Sequence, residues 1–245
     1  WYKIDPKTCQ RVNISKEIGY PVYNELHDLP KPAEAYGIAG WSKDGDRVVL
    51  YDRYDMWVID LTGEKTIYSL TDGYGRTTNR QFRWLKDDYG DKIIDFENGF
   101  LMTSVNLENR DEGIYRFQAN GKLKKLMEGP YSVTVNQKSV DQKYCIFTRQ
   151  SYTEFRDLWW SDLAFTRPVK ITNTNPQQKN YLWGSVKLVE WTNFEGKRNR
   201  GLLYLPDGYD SSKRYPVIVN FYETHTETLH DYIVPFWCSG MLNVV

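Results

Sequence analysis

Apolar residues in this chain fall in strand-length blocks, separated by short clusters rich in Gly, Asp and Asn. From residue 41 the blocks read Trp41-Ser42-Lys43-Asp44-Gly45, then Arg47-Val48-Val49-Leu50-Tyr51. Met56-Trp57-Val58-Ile59-Asp60-Leu61 and Ile67-Tyr68-Ser69-Leu70-Thr71 follow. Each apolar stretch predicts a β-strand and each gap a turn. Asp44-Gly45 supplies the positive φ that a tight hairpin turn demands.

The pattern recurs. A weaker copy runs Gly99-Phe100-Leu101-Met102-Thr103, Gly113-Ile114-Tyr115-Arg116-Phe117 and Leu123-Lys124-Lys125-Leu126, with Asn120-Gly121 as its turn. A clearer one runs Lys143-Tyr144-Cys145-Ile146-Phe147-Thr148, Leu158-Trp159-Trp160-Ser161-Asp162-Leu163 and Val169-Lys170-Ile171-Thr172. Asp60-Leu61 and Asp162-Leu163 anchor the alignment of the first and third copies. With one copy between them the period is roughly 50 residues, the size of a β-propeller blade. The strands are nearly continuous apolar runs, as expected where both faces of a sheet are covered. About three blades are legible. A closed propeller needs at least four, so the chain is expected to hold an N-terminally incomplete propeller over residues 1–180. Trp57 and Trp159 are expected at equivalent places on equivalent strands.

Beyond Asn175-Pro176-Gln177-Gln178 the pattern changes. Val186-Lys187-Leu188-Val189-Glu190-Trp191 and Arg200-Gly201-Leu202-Leu203-Tyr204-Leu205 predict a hairpin turning at Asn193-Phe194-Glu195-Gly196-Lys197. Tyr215-Pro216-Val217-Ile218-Val219-Asn220-Phe221 predicts a further strand. The expected fold is mainly β, with a domain boundary near residue 180 and a second, truncated domain over 181–245.

Composition narrows the function. Thirty-two basic and 32 acidic residues cancel, which argues against nucleic-acid or anionic-membrane partners, since both need a basic excess. Aromatics form 16% of the chain, too many for a disordered protein and suited to pleated surfaces. No apolar run reaches bilayer length. Cys9, Cys145 and Cys238 form no CxxC or zinc spacing; a disulfide framework is not expected, and one pair stays open. The chain starts at Trp1-Tyr2-Lys3 without Met or a signal peptide, and is expected to be a trimmed chain or a fragment.

Candidate chemistry is sparse. His225 and His230 lie near Glu223, Glu227 and Asp231, but helical ligand pairs want a spacing of three or four, so a polar surface loop is expected and no metal. Glu190 and Glu195 flank a hairpin turn and read as solvated charges. Asp111-Glu112 reads as a blade turn. Arg76, Arg80 and Arg83 occupy a polar stretch between two blades, where a guanidinium binds a peptide carboxylate or carbonyl or, more simply, bridges blades. No cofactor is expected.

Three stretches carry a family resemblance. They are Phe155-Arg156-Asp157-Leu158-Trp159 through Lys170-Ile171-Thr172-Asn173; Val189-Glu190-Trp191 with Glu195-Gly196-Lys197 and Gly201-Leu202-Leu203-Tyr204-Leu205-Pro206; and Lys213-Arg214-Tyr215-Pro216-Val217-Ile218-Val219-Asn220-Phe221-Tyr222-Glu223. The chain resembles the prolyl oligopeptidase family of serine peptidases, especially its dipeptidyl-peptidase-like bacterial members. The resemblance spans roughly residues 36–245 and is specific only in the last hundred or so. It implies the end of a propeller followed by the opening strands of an α/β-hydrolase domain. It also implies a peptide substrate, cleaved by a Ser-His-Asp triad, often beside proline. A periplasmic or secreted location is implied by the same relatives.

The chain contains no Gly-x-Ser-x-Gly elbow, the strained turn that exposes such a nucleophile. The nearest string, Gly40-Trp41-Ser42-Lys43-Asp44, fails at its last position and falls at a blade turn. None of the family's triad residues maps onto this chain, which is expected to be inactive alone. By the resemblance, Tyr222 matches the Tyr that donates its hydroxyl to the oxyanion. Its context, Tyr222-Glu223-Thr224-His225, departs from the family's usual Gly or Ala and Pro. The rival reading is a non-catalytic propeller module, or a degenerate homologue, that binds peptide or glycan; fold alone does not separate the two.

Overall fold

The structure is a computed structural model and describes residues 1–63, 66–86, 92–221 and 225–234. A small hairpin of β1 (Tyr2–Ile4) and β2 (Arg11–Asn13) comes first. Blade 1 is β3 (Ile38–Trp41), β4 (Arg47–Tyr51), β5 (Met56–Asp60) and β6 (Ile67–Ser69). A one-turn helix, α1 (Tyr74–Thr77), leads to blade 2: β7 (Arg80–Trp84), β8 (Phe100–Asn106), β9 (Glu112–Phe117) and β10 (Leu123–Gly129). Blade 3 is β11 (Ser132–Lys138), β12 (Tyr144–Gln150), β13 (Asp157–Asp162) and β14 (Val169–Lys170). A hairpin of β15 (Ser185–Thr192) and β16 (Arg198–Leu205) follows. Each four-stranded sheet keeps its strands side by side in chain order, the up-and-down order of a propeller blade. The fold is therefore mainly β, as the strand-length apolar blocks predict.

The chain divides into two compact units. One is Trp1–Glu108 with Gly113–Glu128; the other is Asn109–Glu112 with the chain from Gly129 onward. In the first, Val49, Met56 and Val58 of blade 1 join one buried cluster with Phe82, Met102 and Tyr115 of blade 2. Val48, Leu50 and Ile59 point to the opposite face and pack with Ile18. So β4 is covered on both sides, which is why its sequence is apolar at every step rather than at alternate ones. Phe82 meets Tyr115 edge-on at 5.0 Å. Full burial of one such side chain is worth about 1.5–3 kcal/mol.

In the second unit blade 3 alternates. Cys145 and Phe147 are buried, and Phe147 packs on Trp159 and Phe165 at 6.1 and 5.5 Å between ring centres. The other face presents Tyr144 stacked on Trp160 at 5.2 Å.

The repeat is exact in register. Asp60 pairs with Arg47 and Trp57 with Leu50 in blade 1; Asp162 pairs with Tyr144 and Trp159 with Phe147 in blade 3. Trp57 and Trp159 thus occupy equivalent places, each also facing the fourth strand. The turns match too. Gly45 N–H donates to the Ser42 carbonyl, and Gln142 N–H to that of Ser139. Gly45 and Gln142 both take positive φ, 78° and 54°.

Two expectations need correction. Residues 80–84, expected as a polar stretch between blades, form β7, the first strand of blade 2. Phe82 and Trp84 are buried on the face that also carries Arg80, and Gln81 and Arg83 lie on the other, so these polar residues belong to a strand and not to a link between blades. The strand expected at 215–221 is not paired into any sheet; Val217, Ile218 and Val219 are each 75% exposed. A strand needs a hydrogen-bonding neighbour, and β16 pairs only with β15 among the described residues.

Candidate functional site

Tyr222, the expected oxyanion donor, lies outside the described residues, as does Glu223. The segment that follows is described, and it is anchored by aromatic packing in the second unit. Tyr232 stacks on Trp183 at 4.9 Å and meets Phe155 edge-on at 4.9 Å. Its hydroxyl accepts from Asn175 Nδ2 at 2.9 Å. Trp183 Nε1 donates to the Tyr152 carbonyl at 2.8 Å, and Tyr152 packs on Tyr204 of β16 at 5.7 Å. Blade 3, the β15–β16 hairpin and residues 225–234 therefore share one aromatic anchor. The Trp183 and Tyr232 rings each keep their polar tip paired, as Trp and Tyr do when packed away from water.

Beside this anchor the segment meets the loop before β9. His230 Nε2 lies 3.2 Å from the Asn109 carbonyl and 3.2 Å from Asp111 Oδ1. Arg110 Nη2 donates to Thr226 Oγ1 at 3.1 Å. Asp231 Oδ1 accepts from Gln150 Nε2 at 3.0 Å. Glu112 accepts from Ser132 Oγ at 3.0 Å and from Val133 N–H at 2.7 Å. Burial pushes the Glu112 carboxyl up, and the charge of Asp231 adds to this against those two donors. The structure thus joins His230 to Asp111 and turns Asp231 to Gln150, whereas His225 is exposed. Among the described residues no group of three His, Cys, Asp or Glu side chains is placed to hold a metal ion. The sequence signal that could have found this cluster is thin: Asp111-Glu112 opens a strand, and only the fold brings residue 230 to it.

Ser42 is a turn residue. Its Oγ donates to Asp44 Oδ1 at 2.5 Å and accepts from Arg47 N–H at 2.9 Å. Ser139 makes the same pair of contacts with Asp141 and Tyr144 in blade 3. A nucleophile would not be duplicated as turn architecture, and the repeat explains the residue fully.

The three arginines are engaged within the first unit. Arg76 pairs with Asp52 at 3.1 Å and Glu25 at 3.5 Å, and its guanidinium covers the rings of Tyr20 and Tyr54 at 4.0 and 4.6 Å. Arg80 forks onto Glu128 at 2.8 and 3.0 Å, and Tyr115 donates to the same carboxylate at 2.7 Å. Arg80 accordingly holds the Glu128 carboxyl below its ordinary value. Arg83 donates to the carbonyls of Phe82, Asp52 and Arg53 and lies over Tyr51 at 4.6 Å; burial draws its pKa down. Glu190 receives Arg198 and Arg200 across the β15–β16 hairpin at 2.6 and 2.8 Å, and Glu195 receives Lys197 at 2.8 Å. These are the solvated charges the sequence predicts. Cys9 and Cys145 are free thiols; burial pushes that of Cys145 up to about 11, which leaves it unreactive near neutral pH. Cys238 lies outside the described residues.

A mainly β chain of four-stranded, blade-type sheets, with a hairpin tied to the last of them, defines a β-propeller-like fold class. No protein-family model and no curated protein sequence matches the chain. Among solved structures it is similar to a protein from Bacteroides ovatus assigned as a dipeptidyl aminopeptidase IV. The identity is 14%, over 73% of this chain and 27% of that one, with a TM-score of 0.52. The AtxE2 isopeptidase matches at 17% identity over 88% of this chain and 31% of its own, with a TM-score of 0.46. A TolB structure from Agrobacterium tumefaciens matches at 12% identity over 69% of this chain and 81% of its own, with a TM-score of 0.28. The first likeness shows the fold, and the chain spans under a third of the length of the two peptidase structures.

Proposed function

We propose that this chain is part of a prolyl-oligopeptidase-type serine peptidase acting on short peptides, and that it is inactive by itself. The observation that carries the reading is the order of parts: three blade sheets run directly into the β15–β16 hairpin. The likeness to a protein assigned as a dipeptidyl aminopeptidase IV supports it. The division we propose places the propeller blades at 1–180 and the opening of the peptidase domain at 181–245. The complete protein would act in the periplasm or outside the cell.

In that protein a Ser hydroxyl outside these 245 residues attacks the scissile carbonyl carbon. A His takes its proton and returns it to the leaving amine, and water then releases the acyl group. Tyr222 donates its O–H to the carbonyl oxygen as negative charge develops there. Such a donor stabilises the transition state by about 3–4 kcal/mol, and a phenol stays protonated near neutral pH.

Two measurements test the reading. The 245-residue chain is expected to show no serine labelling by a fluorophosphonate probe and no turnover of proline-containing peptides; labelling with turnover would overturn the assignment. In the complete protein, Tyr222→Phe is expected to lower kcat roughly a hundredfold with little change in KM. An unchanged kcat in a folded variant assigns the oxyanion to another group. A complete protein with no serine labelling at all leaves the binding-module reading in its place.

A further inference from the structure

We propose that the first two strands of blade 3 carry a carboxylate-binding subsite centred on Arg156. A cavity of about 250 Å³ opens there, lined by Ser132, Thr134, Asn136, Thr148, Gln150 and Arg156. The lining follows from strand geometry. Side chains two apart on a strand share a face, so Ser132 and Thr134 of β11 line up with their register partners Gln150 and Thr148 of β12. A register shift between Val135 and Gln137 lies beside Asn136. The other face of the same strands is the apolar one, with Val133 and Phe147 buried. The cavity lining is thus entirely polar, and its single charge is that of Arg156.

Arg156 is held in place but not neutralised. Its Nε donates to Gln150 Oε1 at 3.1 Å. Gln150 is buried, and its amide nitrogen is committed to Asp231 at 3.0 Å. The Gln150 side chain is therefore fixed at both ends and fixes the guanidinium in turn. The two terminal nitrogens of Arg156 make no hydrogen bond among the described residues. This contrasts with Arg76, Arg80 and Arg149, each of which faces a carboxylate.

No carboxylate lines the cavity. Asp231 is bound to the amide of Gln150, and Glu112 is occupied by Ser132 Oγ and Val133 N–H. Thr148 Oγ1 turns to the Thr134 carbonyl at 3.4 Å. The Thr134 hydroxyl and the Asn136 amide remain as neutral donors beside the guanidinium. A planar fork of N–H groups with two neutral donors matches the two oxygens of a carboxylate. The volume falls below the 300–1,000 Å³ of a whole-ligand pocket. It therefore suits one terminal or acidic residue of a longer ligand. The proposal rests on this geometry and does not require the peptidase reading.

The test is binding without turnover, on the 245-residue chain. Fluorescence anisotropy is read with three dye-labelled tripeptides of one scaffold: a free C-terminal carboxylate, a C-terminal amide, and the amide with Glu at the last position. The free acid is expected to bind at least tenfold more tightly than the neutral amide. The Glu peptide separates the sources: binding like the acid means any carboxylate is taken, and binding like the neutral amide means the chain terminus is read. Arg156→Gln is expected to abolish the preference, and Arg156→Lys to keep part of it, since a point charge lacks the fork. Arg156 is solvent-exposed, and a thermal melt checks that the variants fold. Equal affinity for acid and neutral amide, no saturable binding, or an unchanged preference in Arg156→Gln would each overturn the proposal. The acid–amide comparison uses the unmodified chain, so it decides even if a variant misfolds.

Discussion

Asp157 shows how one side chain can fix a sheet. Its side chain is 2% exposed and lies 2.7 Å from Lys170 Nζ. Burial alone would raise its pKa; Lys170, the Thr172 hydroxyl, and the hydroxyl and N–H of Thr174 outweigh it and hold the carboxyl at about 2. The folded value is depressed, so the stabilisation is complete above the unfolded value near 3.8 and is lost as pH falls through about 2. One pKa unit is worth about 1.4 kcal/mol, so the group contributes about 2 kcal/mol at neutral pH. Asp157→Asn is expected to lower stability at pH 7 by about 1–2 kcal/mol and to flatten the decline between pH 4 and pH 2. Urea unfolding across that range measures it; parallel pH profiles for both proteins would show that Asp157 is not the titrating group. Little of this was legible in the sequence. In the sequence Asp157 is only one member of a family-like stretch, because its partners stand 13 to 17 residues away and only the sheet brings them in.

At the scale of the strand, the same device recurs in blades 1 and 3. A carboxylate at the start of the third strand grips a hydroxyl near the end of the fourth and an N–H of the connection beyond it. Asp55 takes the Thr71 hydroxyl and the N–H groups of Gly75 and Arg76. Asp157 takes Thr172 and Thr174 in the same way, whereas Glu112 of β9 takes Ser132 and Val133 of β11. Buried donors left without a partner cost about 1–3 kcal/mol each. Asp55→Ala is therefore expected to cost about 3 kcal/mol or more, and Thr71→Val about 1 kcal/mol, as shifts of the urea midpoint at constant slope. Equal losses for the two would place the role in the hydroxyl and not in the backbone N–H groups. Strands β4, β5, β8, β9, β12 and β13 were legible because burial makes them apolar. β7 and β11 were not, because these strands are polar at Arg80, Gln81 and Arg83, and at Ser132, Thr134, Asn136 and Gln137. The last expected strand failed for a different reason. Val217-Ile218-Val219 has the composition of a strand, but composition does not supply a hydrogen-bonding neighbour.

At the scale of the molecule, the roughly fifty-residue period was enough to give the blade architecture, because the spacing of Asp60 and Asp162 survives in the register of the sheets. The site was far less legible. In the sequence Arg156 stands out only as a member of a family-like stretch, and the more conspicuous Arg76, Arg80 and Arg83 are all engaged by neighbours. Nothing in a linear sequence distinguishes an arginine with a carboxylate partner from one held only by an amide. The carboxylate at the exit of blades 1 and 3 has a further consequence for how such a chain could have grown. In both, the latch lies within a single period, assembled from that period's own third strand and outgoing link. A tandem duplication of one period would copy the fastening along with the part it fastens, leaving only side-chain fit between neighbours to be adjusted. Gain or loss of a blade would then be a change of count and not of design.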